Sequence, residues 1–174
     1  MKNTKKRVLL VSPYLDVLGG GEQHIFSILK VFDDHGYTCD IVWKNEDILQ
    51  KLQETHNTSF SHAQVIPHAS TREDYSHCLY VTDGSYFFSK AQRNYIFFMY
   101  PKTAILPTSL LNKLKTRSAL LFANGEFTAE KIRKKLHRRV EVIHPYIDES
   151  FFYEASCTRE CHIVGGQVFS SLAF

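Results

Sequence analysis

Short continuous runs of apolar residues alternate along this chain with segments in which apolar residues recur every three or four positions. Seven runs are too short for helices and predict strands buried on both faces: 7–12, 38–43, 64–66, 78–81, 95–98, 119–122 and 140–143. The periodic segments predict helices at 22–35, 47–54, 86–91, 108–117 and 128–137. This alternation is typical of an α/β fold with a doubly wound, mainly parallel, Rossmann-like sheet and helices on both faces.

In such a sheet, ligands bind beyond the carboxyl ends of the strands, so the turns that follow strands carry most information. Gly19-Gly20-Gly21 stands directly before the first predicted helix. Glycines there let backbone N–H groups approach an anion, and the helix dipole favours a phosphate. The alternative is that they only permit a tight turn. The spacing is not G-x-G-x-x-G, and Trp43-Lys44 stands where an acidic ribose ligand would be, which disfavours NAD binding.

Two further turns hold polar residues that have both a binding and a structural interpretation. Asn124 follows a predicted strand and is a candidate helix cap, with Glu126 and Glu130 in or near the first turn. Asp83 ends another strand at the same edge and is either a ligand contact or a turn residue. The residue pattern alone leaves these alternatives open.

Positive charge is concentrated in one part of the chain. The formal net charge is only +3, but residues 113–139 hold nine Lys or Arg against two Glu. So small a net charge disfavours bulk nucleic-acid binding. The predicted helix at 128–137 and the two residues after it present either a solvated face or a surface for an anionic membrane. The cations of this candidate surface are Lys131, Arg133, Lys134, Lys135, Arg138 and Arg139.

Composition excludes several other classes of protein. No apolar run approaches the roughly 20 residues that a membrane span requires. The run at 8–11 is too short for a signal peptide, so we expect a cytoplasmic protein, with a peripheral place at the membrane left open. Four cysteines are too few for a disulfide scaffold. Cys157 and Cys161 lack a second ligand pair nearby, so we expect no metal.

Five segments, taken in order, resemble the amino-terminal half of GT-B glycosyltransferases of family 4. They are residues 8–13 followed by Gly20-Gly21-Glu22, then 83–85, Tyr100-Pro101, 123–128 and 142–148. The last two are similar to the family's "N-S-x-F-T" turn and "V-x-Y-P-P-V-D" hinge. Two positions depart from the family pattern: Met99 stands where a histidine is frequent, and Gly125 replaces the usual serine.

The resemblance implies a domain that binds the acceptor in an enzyme that transfers a sugar from a nucleotide-sugar with retention of configuration. The donor diphosphate would then be approached by Gly20, Gly21 and Glu22. The acceptor side would be lined by Asp83, Gly84, Tyr100, Asn124, Phe127 and Thr128. The nucleotide-sugar is a substrate, and the resemblance implies neither a cofactor nor a metal. It assigns no catalytic residue.

The resemblance also predicts the domain organisation. Residues 1–152 would form the Rossmann-like amino-terminal domain, and 153–174 the hinge and first strand of a donor domain that this sequence does not contain. We therefore expect this half to be inactive alone. The alternative is a non-catalytic module, or a subunit of a split enzyme, that docks on a partner carrying the donor domain. Residues 161–174 contain no charged side chain, so we expect them to pack back on the first domain or to mediate self-association. The other interpretation makes them the last strand of the same sheet.

Overall fold

The computed structural model describes residues 6–69, 74–86 and 89–145, together with the backbone of 161–164 and 167–170. Seven strands form one entirely parallel sheet: β1 (Arg7–Val11), β2 (Thr38–Val42), β3 (Ala63–Ile66), β4 (His77–Val81), β5 (Arg93–Phe98), β6 (Leu120–Ala123) and β7 (Val140–Val142). The helices are α1 (Gly20–Asp34), α2 (Asp47–Thr55), α3 (Leu110–Thr116) and α4 (Glu126–Leu136), with one turn of 3₁₀ helix at Thr103–Ile105. The predicted Rossmann-like α/β fold is confirmed.

The order of the strands creates a switch point in the sheet. The strands lie in the order β3-β2-β1-β4-β5-β6-β7. The chain therefore adds β2 and β3 on one side of β1, and it then crosses back to add β4 to β7 on the other side. β1 pairs directly with β4, and Val11 faces Tyr80 in the register. Connections on the two sides of β1 leave the carboxyl edge in opposite directions, which opens a crevice there.

The core consists of apolar layers on the two faces of this sheet. Alternate residues of β1 point to opposite faces: Val8 and Leu10 join the layer covered by α1 and α2, whereas Leu9 joins a smaller cluster on the other face. A third cluster packs α4 on β5 and β6, with Ile132 almost completely buried. No helix of the described residues is both long and apolar enough to cross a bilayer.

One carboxylate is buried completely within the sheet. Asp40 of β2 has no exposed surface, and it accepts hydrogen bonds from the guanidinium of Arg7, from Gln64 Nε2 at 2.7 Å and from the Tyr75 hydroxyl at 2.9 Å. These donors come from β1, β3 and the segment before β4. A charge that is out of water is tolerable only when it is paired and hydrogen-bonded in this way.

Two local predictions are wrong. Residues 86 and 89–91 are not helical, because the Tyr86 hydroxyl donates to the carbonyl of Ile105 at 2.7 Å and β5 begins two residues after Ala91. Asn124 does not cap α4: the N-cap residue is Gly125, and the Asn124 side chain bonds elsewhere.

The carboxyl-terminal part of the chain forms a separate antiparallel hairpin. Strand β8 (Cys161–Val164) pairs with β9 (Gln167–Ser170), and neither joins the seven-stranded sheet. The interpretation of residues 161–174 as the last strand of the main sheet is therefore wrong. Self-association through this segment stays a prediction, as does its role as the start of a further domain. Residues 146–160, where the predicted hinge continues, lie outside the described residues.

Candidate functional site

A cleft of about 420 Å³ lies at the carboxyl ends of β1, β4 and β5, at the switch point of the sheet. The loop after β1 and the first turn of α1 form one wall, and the residues that follow β4 and β5 form the other. The lining residues are Ser12, Tyr14, Val17, Gly19, Gly20, Gly21, Glu22, Ile25, Val81, Thr82, Asp83, Met99, Tyr100, Lys102 and Ile105. The structure thus brings together five residues predicted for the site: Gly20, Gly21, Glu22, Asp83 and Tyr100.

The first turn of α1 presents backbone N–H groups to this cleft. The Glu22 carboxylate reaches back to accept the Gly19 N–H at 2.8 Å, and the first intrahelical bond runs from the Gln23 N–H to the Gly19 carbonyl. Glu22 therefore fixes the start of the helix with its side chain. The N–H groups of Gly20, Gly21 and Glu22 belong to the first turn, which has no intrahelical acceptors. They are the groups at which the helix dipole attracts an anion.

The glycines in this turn are not required by packing. A Cβ added to Gly20 or Gly21 would meet no heavy atom within 4 Å, and neither residue has a positive φ. Both residues are exposed. The missing side chains therefore leave open space in front of the helix N-terminus, which is the space that a close-approaching ligand needs.

Asp83 is held in a fixed position on the opposite wall. Its Oδ1 accepts hydrogen bonds from the Ser85 hydroxyl at 2.6 Å and from the Ser85 N–H at 2.9 Å. These two bonds lower the pKa of the Asp83 carboxyl below its usual value, so the group is ionised at neutral pH. Asp83 is therefore a turn residue that also lines the cleft, and a ligand contact at this position stays a prediction. The next residue, Gly84, has a φ of +111° and lies against the backbone of Ile105, so its role is conformational.

Sequence reasoning missed Tyr14 and Lys102, which also line the cleft. Burial raises the pKa of the Tyr14 phenol, with smaller contributions in the same direction from Asp83 and Tyr100. Both tyrosines and the carboxylate line the same cleft. Both missed residues stand in turns that follow a strand, which was the signal that could have identified them.

Four residues predicted for the acceptor side do not line the cleft: Gly84, Asn124, Phe127 and Thr128. The Asn124 amide donates to the carbonyl of Met99 at 3.1 Å, and Met99 itself lines the cleft. Thr128 is buried, with 5% of its surface exposed. Phe127 is exposed and lies under the ammonium of Lys131, 4.6 Å from the ring centroid. Asn124 thus acts on the cleft through the backbone that it holds.

The basic residues of α4 and of the segment that follows it divide into two groups. Arg133 donates from Nε and from its terminal nitrogen to the carbonyl of Val140 and pairs with Glu126, while Arg139 pairs with Glu141. Arg138 donates to the carbonyl oxygens of Thr116 and Ala119, and its burial lowers its pKa. The remaining three cations, Lys131, Lys134 and Lys135, are exposed.

The cleft combines two kinds of recognition chemistry. First-turn N–H groups and the exposed Lys102 ammonium suit an anion such as a phosphate, and the Asp83 carboxylate beside two phenols suits a ligand rich in hydroxyl groups. Across the described ranges, no group of three or more His, Cys, Asp or Glu side chains could hold a metal ion. No family model, curated protein or solved structure matches this chain.

Proposed function

We propose that this chain is the acceptor-binding half of a retaining GT-B glycosyltransferase, which moves a sugar from a nucleotide-sugar to a glycan, lipid or small-molecule acceptor. The observation that carries the proposal is the cleft at the switch point between β1 and β4, with the glycine turn of α1 on one wall and Asp83 on the other. Three of the segments that resemble family 4 follow strands that border this cleft: Gly20-Gly21-Glu22 after β1, 83–85 after β4 and Tyr100-Pro101 after β5.

Each wall has a distinct role in the proposal. The donor diphosphate approaches Gly20 and Gly21, where first-turn N–H groups and the helix dipole stabilise its charge. The acceptor occupies the side of Asp83 and Tyr100. Asp83 is kept ionised by the hydrogen bonds from Ser85 and can accept a hydrogen bond from an acceptor hydroxyl. The donor domain supplies most nucleotide contacts, so this half alone binds weakly and does not turn over.

Amide chemical shifts of the full chain, measured by ¹⁵N NMR, test the proposal. Uridine, guanosine and adenosine diphosphate-sugars and a panel of soluble glycans are titrated to millimolar concentration. The proposal expects saturable shifts at Gly20 and Gly21 with at least one nucleotide-sugar, and shifts near Asp83 with a glycan. Shifts with none of these ligands, or shifts confined to residues outside the cleft, would contradict it.

A pair of glycine variants makes the test specific. Gly21→Val places two methyl groups in the open space before α1, so it should abolish the nucleotide-sugar shifts while the fold is kept. Gly125→Val is the matched control, because Gly125 precedes α4, lies outside the cleft lining and would also place its Cβ in open space. Equal loss in both variants would assign the effect to folding and contradict a site at α1.

A further inference from the structure

Helix α3 carries its apolar residues on the side that faces away from the protein. Leu110, Leu111 and Leu114 have 75%, 69% and 52% of their surface exposed. On the inner side Thr116 is buried, and Asn112 and Lys115 are half-buried. A helix at the surface of a globular protein normally has the opposite arrangement.

Helical geometry gathers the three leucines into one stripe. At about 100° per residue, they occupy an arc of about 100°, roughly opposite the arc that contains Asn112, Lys115 and Thr116. Polar contacts hold the inner side: the Lys115 ammonium donates to the carbonyl of Tyr86 at 2.7 Å, and the Arg138 guanidinium donates to the carbonyl of Thr116 at 3.0 Å. The leucine stripe is therefore a built feature of the surface, with the helix anchored by other groups.

Cations border this stripe. Lys113 follows Leu110 by three positions and Arg117 follows Leu114 by three, so each lies next to a leucine on the same flank, and both are exposed. Beyond them is a groove of about 500 Å³ that α3 shares with the end of α4, and its charged residues are Lys113, Arg117, Lys135 and Arg138, beside His137. From residue 103 to 125 the sequence contains no Asp or Glu.

We infer that this face is a contact surface for the anionic headgroup region of a lipid bilayer. The leucine stripe enters the boundary between headgroups and acyl chains, and Lys113, Arg117 and Lys135 lie among the lipid phosphates. An apolar stripe beside a basic border is the pattern of interfacial helices, and positive charge near an anionic leaflet strengthens binding. The commitment to lipid follows from the combination of solvent-facing leucines with a groove lining that contains no acid.

The surface differs from the one that the sequence predicts on α4. Ile132 is buried in α4 and Leu136 is half-buried, so α4 has no apolar stripe to insert. Arg133 and Arg138 donate to backbone carbonyls, and the exposed Arg139 pairs with Glu141. The exposed Lys135 contributes from the rim of the groove, and the apolar contact comes from α3.

Co-sedimentation of the full chain with vesicles tests the inference. Vesicles of phosphatidylcholine alone are compared with vesicles that also contain phosphatidylglycerol, at low and high salt. Binding should require the anionic lipid and fall with salt. The double variant Lys113→Ala, Arg117→Ala should weaken binding by about 25-fold, at about fivefold for each cation. The triple variant Leu110→Ser, Leu111→Ser, Leu114→Ser should weaken it roughly tenfold or more.

Matched controls lie on the other side of the molecule. Val31→Ser removes an exposed apolar residue from α1, and Lys51→Ala removes an exposed cation from α2; both should bind as the wild type does. Circular dichroism confirms that each variant is folded. Wild-type binding by the folded leucine variant would overturn the inference, as would equal recovery on neutral and anionic vesicles. If the wild type ignores vesicles but forms a dimer that the leucine variant abolishes, the occupant is a second copy and lipid contact is overturned.

Discussion

The side-chain amide of Asn124 donates a hydrogen bond to the backbone carbonyl of Met99 and so ties the carboxyl end of β6 to that of β5. The register pairs Phe98 with Ala123, so the two residues are the first ones beyond the last paired positions. Met99 lines the cleft, whereas Asn124 does not. Asn124 therefore extends the ladder by one step with its side chain and fixes the backbone that carries Met99 and Tyr100.

Replacing this amide should cost stability. Asn124→Ala removes the donor and leaves the half-buried carbonyl of Met99 without it, which should lower the free energy of unfolding by about 1 kcal/mol. For a chain of this size, that corresponds to a fall in Tm of about 2–4 °C by calorimetry. Gln50→Ala, at an exposed position of α2, is the control and should leave Tm unchanged. An unchanged Tm in Asn124→Ala would show that the bond does not matter for stability.

The glycines of the cleft should lower the free energy of unfolding while they keep the space before α1 open to a ligand. Gly21→Ala adds a methyl group inside a helix, where no atom lies within 4 Å, so it should raise the free energy of unfolding by about 0.5–1 kcal/mol. Gly36→Ala is the contrasting variant, because Gly36 has a φ of +73° that an L-residue adopts only with strain. Chemical denaturation should therefore show opposite shifts of the midpoint. A destabilised Gly21→Ala would contradict this account of α1.

The buried Asp40 should be the most sensitive polar position in the sheet. Asp40→Ala removes the acceptor shared by Arg7, Gln64 and Tyr75, and it leaves a cation in a place arranged for an ion pair. Breaking a buried pair of this kind costs about 3–5 kcal/mol. Denaturant titration should report that loss, or the variant should fail to fold. Asp34→Ala is the control, since Asp34 is exposed and pairs with Lys30 at the surface. Similar losses in both variants would refute the distinction.

Acidification should destabilise the fold through His24. His24 is 3% exposed, neither ring nitrogen has a hydrogen-bond partner within the described residues, and burial lowers the pKa of His24. His24 therefore binds a proton more tightly in the unfolded chain than in the folded chain. The free energy of unfolding should therefore be undiminished by His24 above the unfolded pKa of about 6.5, and it should decrease as the pH falls below that value.

A leucine variant isolates this contribution. His24→Leu keeps an apolar body in the site and removes the titrating group, so its Tm should fall less than that of the wild type between pH 7.5 and pH 5.5. The Tm of His24→Leu should still fall with pH, because burial also lowers the pKa of His56 and of His77. His68→Leu, at an exposed position, should keep the wild-type slope. Parallel curves for His24→Leu and the wild type would count against His24.

Much of the fold was predictable because the strands of a parallel sheet are buried on both faces and appear as continuous apolar runs. All seven predicted strands of the main sheet form, within two residues of the predicted bounds. The failures have local causes. The segment around Tyr86 has helical periodicity, but its hydroxyl finds an acceptor at Ile105, which lies 19 positions later in the chain. The local pattern of apolar and polar residues does not indicate a hydrogen-bond partner this far along the chain.

The sequence predicts which turns meet at the candidate site, because this depends on the order of the strands. It does not predict which way the side chains point. Gly20, Asp83 and Tyr100 meet because each follows a strand that ends at the same crevice. Periodicity could not show that Arg138 reaches the carbonyls of Thr116 and Ala119, or that the leucines of α3 face solvent. Side-chain direction relative to the core is set by packing between elements, and the spacing of residue types does not contain it.

The contact of Arg133 with Val140 has a consequence for assembly. β7 is the outermost strand on its side, and the Ile143 N–H points inward to Ala123, so alternation along the strand turns the Val140 carbonyl toward the free edge. Two nitrogens of the Arg133 guanidinium occupy that carbonyl. A strand from another molecule would have to displace the Arg133 guanidinium before it could form a backbone hydrogen bond with the Val140 carbonyl. The last strand of the sheet is therefore capped against edge-to-edge polymerisation by a side chain from its own preceding helix.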